Sequence, residues 1–570
     1  MVISMKLYPT SSIKKRDLTL FIAIVIALFI LNFIFSFYFF RLDLTSEKRY
    51  TLSNYTKELL KKIDDIVYFK IYLHGDLPPS FHKLKNEVKE MLDEMRLYND
   101  NIQYEFIDIN SIGNKDDIHN LEKQLYDKGI VPEQVVERKE NKTSESLVWP
   151  GALVSYKGKE TVWQIFSRQL GFTPQENINH ALNDIEYGIC KTIHKLQRKK
   201  RPEISIVEGH RELDTLQLYD YIRALSEEYT VSRIRINHKL YALKNLEAII
   251  IAKPDTVIDE KDKFIIDQFI MKGGKVLWLI DPVKLNMDSF RLKGFSFALN
   301  NHTNLEDMLF EYGVRINTDL IQDLQCAPIP VNIGFAKGQP HFKLFPWIFF
   351  PLIMPTSTHP IVKNLDLIKT EFVSTIDTLS TSGIKKTILL TSSKNTRVTP
   401  APLRVSLAIT QFKLKEKAFN QGPKPIAVLL EGTFKSLYTH RIPTIIMEDS
   451  TIQFKSLSVP NKMIVVSDGD IARNDYNRMN GLIYPLGYDK YTNQTYANKQ
   501  FLLNCMNYLL DDSGLLQLRA REVKLRLLDM KKISLQKTKW QLYNVLLPPL
   551  FILCLVLIQY YLRQKKYTSC

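Results

Sequence analysis

The sequence predicts an α/β chain held between two membrane-crossing helices. Three observations lead there. Residues 18–40 and 542–562 are long apolar runs without a formal charge. Between them, strand-like and helix-like segments alternate. Several strand-like runs are apolar at nearly every position, as parallel strands are when helices cover both faces.

Residues 18–40 read LTLFIAIVIALFILNFIFSFYFF. At a rise of ~1.5 Å per residue this run makes a helix of about 34 Å, enough to span a ~30 Å hydrocarbon core with some tilt. Lys14, Lys15 and Arg16 precede it and Arg41 closes it, as interfacial anchors do. It exceeds the ~7–15 residue core of a signal peptide, and no small-residue cleavage site follows, so an uncleaved anchor is expected. Residues 542–562 form the second crossing, with a kink expected at Pro548 and Pro549. Trp540, Tyr543, Tyr560 and Tyr561 stand near its ends. Two crossings put both termini on one side. Lysines and arginines flank both runs on both sides, so charge alone does not orient them.

The 570 residues are 45% hydrophobic and 24% charged, with a net charge of +16. The basic residues are scattered, except for Arg198-Lys199-Lys200-Arg201, which reads as a solvated linker. No nucleic-acid motif accompanies them, so the expected partner is the lipid bilayer and not nucleic acid. The five cysteines show no CxxC or metal spacing, so neither a bound metal nor any other cofactor is expected.

Residues 41–200 form the first region between the anchors. Ser53 is placed to cap a helix. A strand follows over 65–75. A long helix over 80–98 carries Phe81, Leu84, Val88, Met91, Leu92 and Met95 at helical spacing. A strand at 101–110, a helix at 116–127, strands at 152–156 and 160–165, and one helix over 174–197 complete it. That order is similar to a thioredoxin-like domain, and Gly129-Ile130-Val131-Pro132 resembles its proline turn. Disulfide chemistry needs thiols after the first of these strands. That place reads His74-Gly75-Asp76-Leu77, so a redox-inactive contact module is expected.

Residues 201–530 form the second region, a doubly wound α/β sheet. Strand-like runs begin near 204, 229, 247 and 275, with helices at 216–229 and 259–274 between them. Residues 328–360 are proline-rich and read as a loop containing Pro346-Trp347 and Phe349-Phe350-Pro351. Strands at 385–393, 425–432 and 461–466, a helix at 499–510 and an amphipathic helix at 515–530 follow. Residues 531–541 lead to the second crossing, and 1–17 and 563–570 are the tails. The helix–Gly273-Gly274–strand pattern resembles the amidotransferase-like fold. Active members carry a nucleophilic cysteine right after that strand. Here Asp281-Pro282 stands there, and no GxxxxGK[ST] loop occurs, so neither acyl transfer nor P-loop ATP hydrolysis is expected.

In a doubly wound sheet, functional loops lie at the carboxyl ends of strands. Those ends are Glu208-Gly209-His210-Arg211, Lys253-Pro254-Asp255 and Asp281-Pro282-Val283. Glu208, His210 and Arg211, with Glu212 and Asp214 nearby, form one candidate ligand cluster. Asp468 and Asp470 form a second, suited to a cation or sugar. A solvent-facing loop and a plain strand-ending turn are the simpler readings of the same residues.

Several stretches resemble the gliding-motility-associated ABC-transporter auxiliary and substrate-binding proteins of Bacteroidetes, the GldG family. They are residues 41–53 (RLDLTSEKRYTLS), the Glu208-Gly209-His210 loop, Gly273-Gly274 with Asp281-Pro282, and the charge-free anchors. The resemblance implies a non-catalytic subunit of the inner membrane working with a separate ATPase and a multi-spanning permease. It also implies a large periplasmic domain with both termini cytoplasmic. The other class of reading is a periplasmic glycan- or peptide-binding protein using the His210 and Asp468 loops.

Overall fold

The computed structural model describes residues 10–568 apart from 38–50, 112, 140–141, 169–172, 199, 291–292, 337, 413, 444–447, 449, 478, 512–513 and 521–529. The stretch 41–50, which carries much of the family resemblance, lies outside the described residues. The chain divides into two compact units, residues 1–522 and 523–570.

The first unit opens with helix α1 (Thr10–Phe37). Its described apolar part is Leu18–Phe33, shorter than the expected crossing, whose last residues 38–40 are not described. Next come α2 (Asn54–Lys61), β1 (Val67–Ile71), α3 (Pro79–Tyr98), β2 (Ile102–Phe106) and α4 (Lys115–Lys128). They are followed by β3 (Glu133–Lys139), β4 (Lys142–Val148), β5 (Gly151–Tyr156), β6 (Lys159–Gln164), α5 (Pro174–Asn183) and α6 (Ile185–Gln197). The sheet order is β2-β1-β5-β6, with β1 parallel to β2 and antiparallel to β5. Ser53 caps α2, accepting the Thr56 amide at 3.0 Å. Glu186 of α6 pins that same turn, accepting the Ser53 N–H at 2.9 Å and the Thr56 hydroxyl at 2.6 Å. Helix α3 buries Phe81, Leu84, Val88, Leu92 and Met95 along one stripe.

Two features depart from the sequence reading here. The β3–β4 hairpin was not anticipated, because its strands are polar and lack the alternation that marks a buried face. The single helix expected over 174–197 is two, meeting at Asp184, whose φ and ψ of −92° and 1° leave the helical range.

The larger sheet begins with β7 (Glu203–Val207), followed by α7 (Tyr219–Ser226), β8 (Thr230–Ile234), β9 (Ala248–Ala252), α8 (Glu260–Met271) and β10 (Lys275–Leu279). The chain then leaves the sheet for a β-rich insertion. This contains β11 (Val283–Lys284), β12 (Phe295–Asn300), helix α9 (Glu306–Glu311), β13 (Val314–Ile316), β14 (Asp319–Asp323), β15 (Cys326–Ala336), β16 (Gln339–Ile353), β17 (Ile368–Lys369) and β18 (Ile376–Thr378). Strand β19 (Ile384–Thr391) rejoins the sheet, and β20 (Thr396–Pro400) and β21 (Leu403–Ser406) return to the insertion. Strands β22 (Pro425–Gly432) and β23 (Asn461–Val466) and helix α10 (Asn498–Leu510) complete the body.

The seven-stranded order is β19-β22-β23-β10-β9-β7-β8. Strands β8, β7, β9, β10 and β23 are parallel, and β22 runs against β23. The continuous apolar runs are explained by burial on both sides. Ile204, Ile250, Leu277 and Ile464 pack against α7 and α10 on one face. Ile249, Val276, Trp278 and Val465 pack against α8 and α9 on the other.

The proline-rich loop expected at 328–360 is instead a long hairpin, β15 with β16, whose base is core. Trp347, Phe349 and Phe350 are buried against Phe290 and Phe372. Pro328 faces Pro346 across the ladder, and Pro330 lies two residues on. Residues of that parity in an antiparallel pair point their N–H groups away from the partner, so proline breaks no bond there.

In the second unit, helix α11 (Met530–Thr568) runs through Pro548 and Pro549. Its segment Gln536–Lys565 is long and apolar enough to cross a membrane. Of the amphipathic helix expected over 515–530, Leu515–Ala520 forms a short 3-10 turn, and residues 521–529 lie outside the described residues.

Gly188 sits inside α6, where alanine ordinarily stabilises a helix by about 1 kcal/mol. A Cβ there would lie 2.4 Å from Nε1 of the buried Trp163. Gly188→Ala should therefore destabilise by about 1–3 kcal/mol, as overpacking does. A urea melt followed by tryptophan fluorescence checks this, and an unchanged or raised midpoint refutes it.

Candidate functional site

Winding reverses between β7 and β9: the chain proceeds from β7 outward to β8, then crosses back to β9 and on to β10. Such a reversal opens a crevice at the carboxyl ends of the strands. The loops there are 208–214, 253–257, 280–283 and 467–473. They hold one another through the backbone. Leu213 N–H bonds Ala252 C=O at 3.0 Å, Lys253 N–H bonds Leu279 C=O at 2.7 Å, and Ile280 N–H bonds Val466 C=O at 3.0 Å.

A cluster of buried charges fills the side of this edge toward β10 and β23. Lys253 Nζ reaches Asp281 Oδ2 at 3.0 Å and also binds Asp470. Arg473 reaches Asp470 at 2.8 Å and Glu371 at 2.6 Å. Lys369 stands 3.3 Å from both Glu371 and Asp489. Asp468 accepts the backbone N–H of Glu371 at 2.9 Å, and Asp281 accepts that of Gly469. Burial opposes the Lys253 ammonium, but Asp281 and Asp470 override it and hold its pKa above the ordinary value. Burial likewise opposes the Asp470 carboxylate, yet Arg473 and Lys253 hold it below the usual range. Burial, reinforced by Asp281 and Asp470, pushes Asp468 well above that range.

Two backbone features serve the cluster. Lys253 has a φ of 57°, a left-handed conformation uncommon outside glycine. Gly469 packs directly on it: a Cβ there would meet Lys253 Cβ at 2.5 Å, so the Asp468-Gly469-Asp470 turn needs glycine at its centre.

The expected site residues divide between this cluster and a second group. Asp468 and Asp470 lie in the cluster. Glu208, at the end of β7, pairs with Arg233 at 2.9 Å and Arg235 at 3.3 Å, and Arg233 in particular lowers its pKa. His210 is only 8% exposed. Its Nδ1 lies 3.2 Å from Glu212, and its carbonyl accepts the N–H groups of Asp255 and Thr256 at 2.9 and 3.2 Å. Arg211 is exposed, with a φ of 58°. The segment 253–256 touches both groups, giving its lysine side chain to one and its amides to the other.

Sequence reasoning named Lys253 and Asp281 as strand ends but not as site residues, and it missed Lys369, Glu371, Arg473 and Asp489. One signal was available for Lys253: a charge set directly after AIIIA, a run with no polar residue. Arg473 stands only three residues from Asp470 and was within local reach, whereas Lys369, Glu371 and Asp489 come from more distant segments.

Removing one partner from a buried ion pair leaves the others uncompensated. Lys253→Met should therefore cost about 3–5 kcal/mol. The double variant with Asp470→Asn should lose less than the sum of the two single changes. Denaturant midpoints for the four proteins of the cycle check this, and strict additivity contradicts the pairing.

The chain resembles proteins whose functions are not described by their names. Residues 46–155 match a domain of unknown function. An uncharacterized protein of Borreliella burgdorferi is 20% identical over 547 residues, spanning 92% of this chain and 94% of the relative. Among solved structures, the N-terminal domain of mmIFT52 overlaps 54% of this chain and 98% of its own, at 12% identity and a TM-score of 0.31. A putative ThuA-like protein from Parabacteroides merdae overlaps 55% of this chain and 91% of its own, at 9% identity and a TM-score of 0.26. Neither likeness reaches the level of a shared fold. Residues 201–505, more than half of the chain, match the model of an ABC-type uncharacterized transport system. The chain belongs to that ABC-transporter auxiliary family.

Proposed function

We propose that this chain is a non-catalytic auxiliary subunit of an ABC transporter, anchored in the inner membrane. Its partners are a separate ATPase and a multi-spanning permease. The observation that carries this reading lies at the sheet edge where doubly wound enzymes hold reactive groups. Here Asp281, Asp468 and Asp470 are engaged with Lys253, Arg473 and backbone amides. These groups brace loops against one another and are not free to act on a substrate. Family membership supports the transporter context.

The finer parts of the reading rest on separate supports. In residues 51–197 the order of helices and strands supports a thioredoxin-like body working without thiols. The Gly273-Gly274 pattern supports an amidotransferase-like fold for the larger sheet. The apolar segments of α1 and α11 support two crossings, and the family resemblance of residues 41–53 supports an α/β body in the periplasm with both tails cytoplasmic. The link to gliding motility rests on the resemblance of residues 41–53. A glycan- or peptide-binding role would call for free polar groups where the 210 and 468 loops meet.

Purification of the tagged full-length protein from detergent-solubilised membranes tests the main reading. An ATPase and a permease should co-purify, and equally well with His210→Ala. Recovery of the protein without either one overturns it. Cysteine labelling of intact cells tests the orientation: a cysteine introduced at the exposed Arg211 should react with a membrane-impermeant maleimide, and labelling of the tails instead overturns it.

A further inference from the structure

The base of the β15–β16 hairpin is core, but its outer half is a bare ribbon. In β16 the residues from Gln339 to Leu344 are all exposed, whereas those from Trp347 to Pro351 are all buried. At ~3.3 Å per residue the exposed part is about 20 Å long. Register sorts its side chains. Phe342 stands opposite Asn332, Leu344 opposite Pro330, and Pro346 opposite Pro328. With a side-chain period of two, these pairs and Pro340 share one face. None of them is charged. Phe342 is 58% exposed and Leu344 42%. The other face carries the exposed His341 and Lys343, the Lys343 ammonium lying 5.6 Å from the centre of the Phe345 ring. Nearer the base that second face turns inward, where Ile329 and Val331 join the core around Trp347. We propose that this amphipathic ribbon docks on an anionic phospholipid bilayer, with Phe342 and Leu344 at the boundary of headgroups and acyl chains and Lys343 among the phosphates.

Charge complementarity is the first support. No aspartate or glutamate occurs from 324 to 365, a stretch that holds Lys337, Lys343 and Lys363. A second basic and apolar strip meets the base of the ribbon. Leu407, Ile409 and Leu414 pack on the same core as Trp347 and Phe345. Between them Phe412 is 68% exposed, and Lys415 and Lys417 follow it, also exposed. Glu416 is the one acidic residue in 401–424, against Arg404 and the lysines at 413, 415, 417 and 424. An anionic leaflet attracts such a surface.

Two further observations favour lipid over a protein partner. Protein interfaces are rich in Tyr, Trp and Arg and poor in Lys. Phenylalanine and leucine on one face with lysine on the other is the make-up of segments that lie in a membrane surface. The edges of the ribbon also discourage a partner strand. Pro330, Pro340 and Pro346 have the parity at which N–H groups point outward, so an added strand would find donors missing along both edges. What is left for contact is the uncharged face, and a bilayer needs no hydrogen bonds from it.

The inference rests on the reading that the chain is anchored in a membrane, and one experiment separates the two. Full-length protein with the photoreactive p-benzoylphenylalanine in place of Phe342 would be reconstituted into nanodiscs of phosphatidylcholine, with and without phosphatidylglycerol. After irradiation, mass spectrometry reads what position 342 has captured. The expected result is a phospholipid adduct whose yield rises with phosphatidylglycerol. Lys343→Gln should lower that yield about fivefold, the factor one lysine contributes at an anionic surface. Both residues are exposed, so the variants should fold, and an unchanged circular-dichroism melt certifies them. Discs that contain the protein but yield no lipid adduct overturn this inference alone. A yield indifferent to phosphatidylglycerol and to Lys343→Gln also overturns it, as does capture of a permease or another protein in place of lipid when native membranes are irradiated. Failure of the chain to enter the discs overturns the anchoring reading and this inference together.

Discussion

The larger sheet depends on an ion cluster that closes its carboxyl edge. Lys253 and Asp470 are 217 residues apart in the chain, yet they meet between Asp281 and Arg473. Each of these charges, taken alone out of water, would cost several kcal/mol, and only mutual pairing makes their burial tolerable. Glu371 and Lys369 come from the inserted β region, so the insertion supplies partners that the sheet cannot do without. Charge binds the two parts at this edge, while the ring contacts of Trp347 with Phe349 and of Phe350 with Phe372 hold the insertion itself together.

How much of this was legible depended on whether the signal was local. The parallel strands were readable because AIIIA and KVLWL have no polar face, and the structure buries both sides of them. Helix α3 was readable from its stripe, and α2 from Ser53. The β15–β16 hairpin was not, because proline marks a breaker in one dimension. Only the register shows that these prolines point their missing N–H groups away from the ladder. The β3–β4 hairpin was hidden for the opposite reason, its polar strands having no buried face to signal. At the candidate site the strand-end loops were located correctly, but their roles were not. Asp468 and Asp470 look like a plain strand-ending turn in sequence, yet both are buried, Asp470 between Lys253 of a distant loop and the nearby Arg473, and Asp468 against the backbone amide of Glu371.

The picture that results is of a body in which polar groups at a crevice have mainly structural partners. Glu208 steadies β8 through Arg233 and Arg235, and Asp267 inside α8 is held by Tyr312 and Ser436. Such arrangements fix loop positions.

Strand order also bears on how the protein is made. Strand β23 lies between β10 and β22, but it leaves the ribosome long after β10. Until then the nascent sheet ends on β10, an apolar strand with an unpaired edge, which is a template for pairing with other chains. Synthesis must pass through the whole insertion before the central gap is filled. A ribosomal arrest or nonsense truncation after β10 but ahead of β23 would leave a sticky half-sheet, a natural substrate for chaperones and proteases.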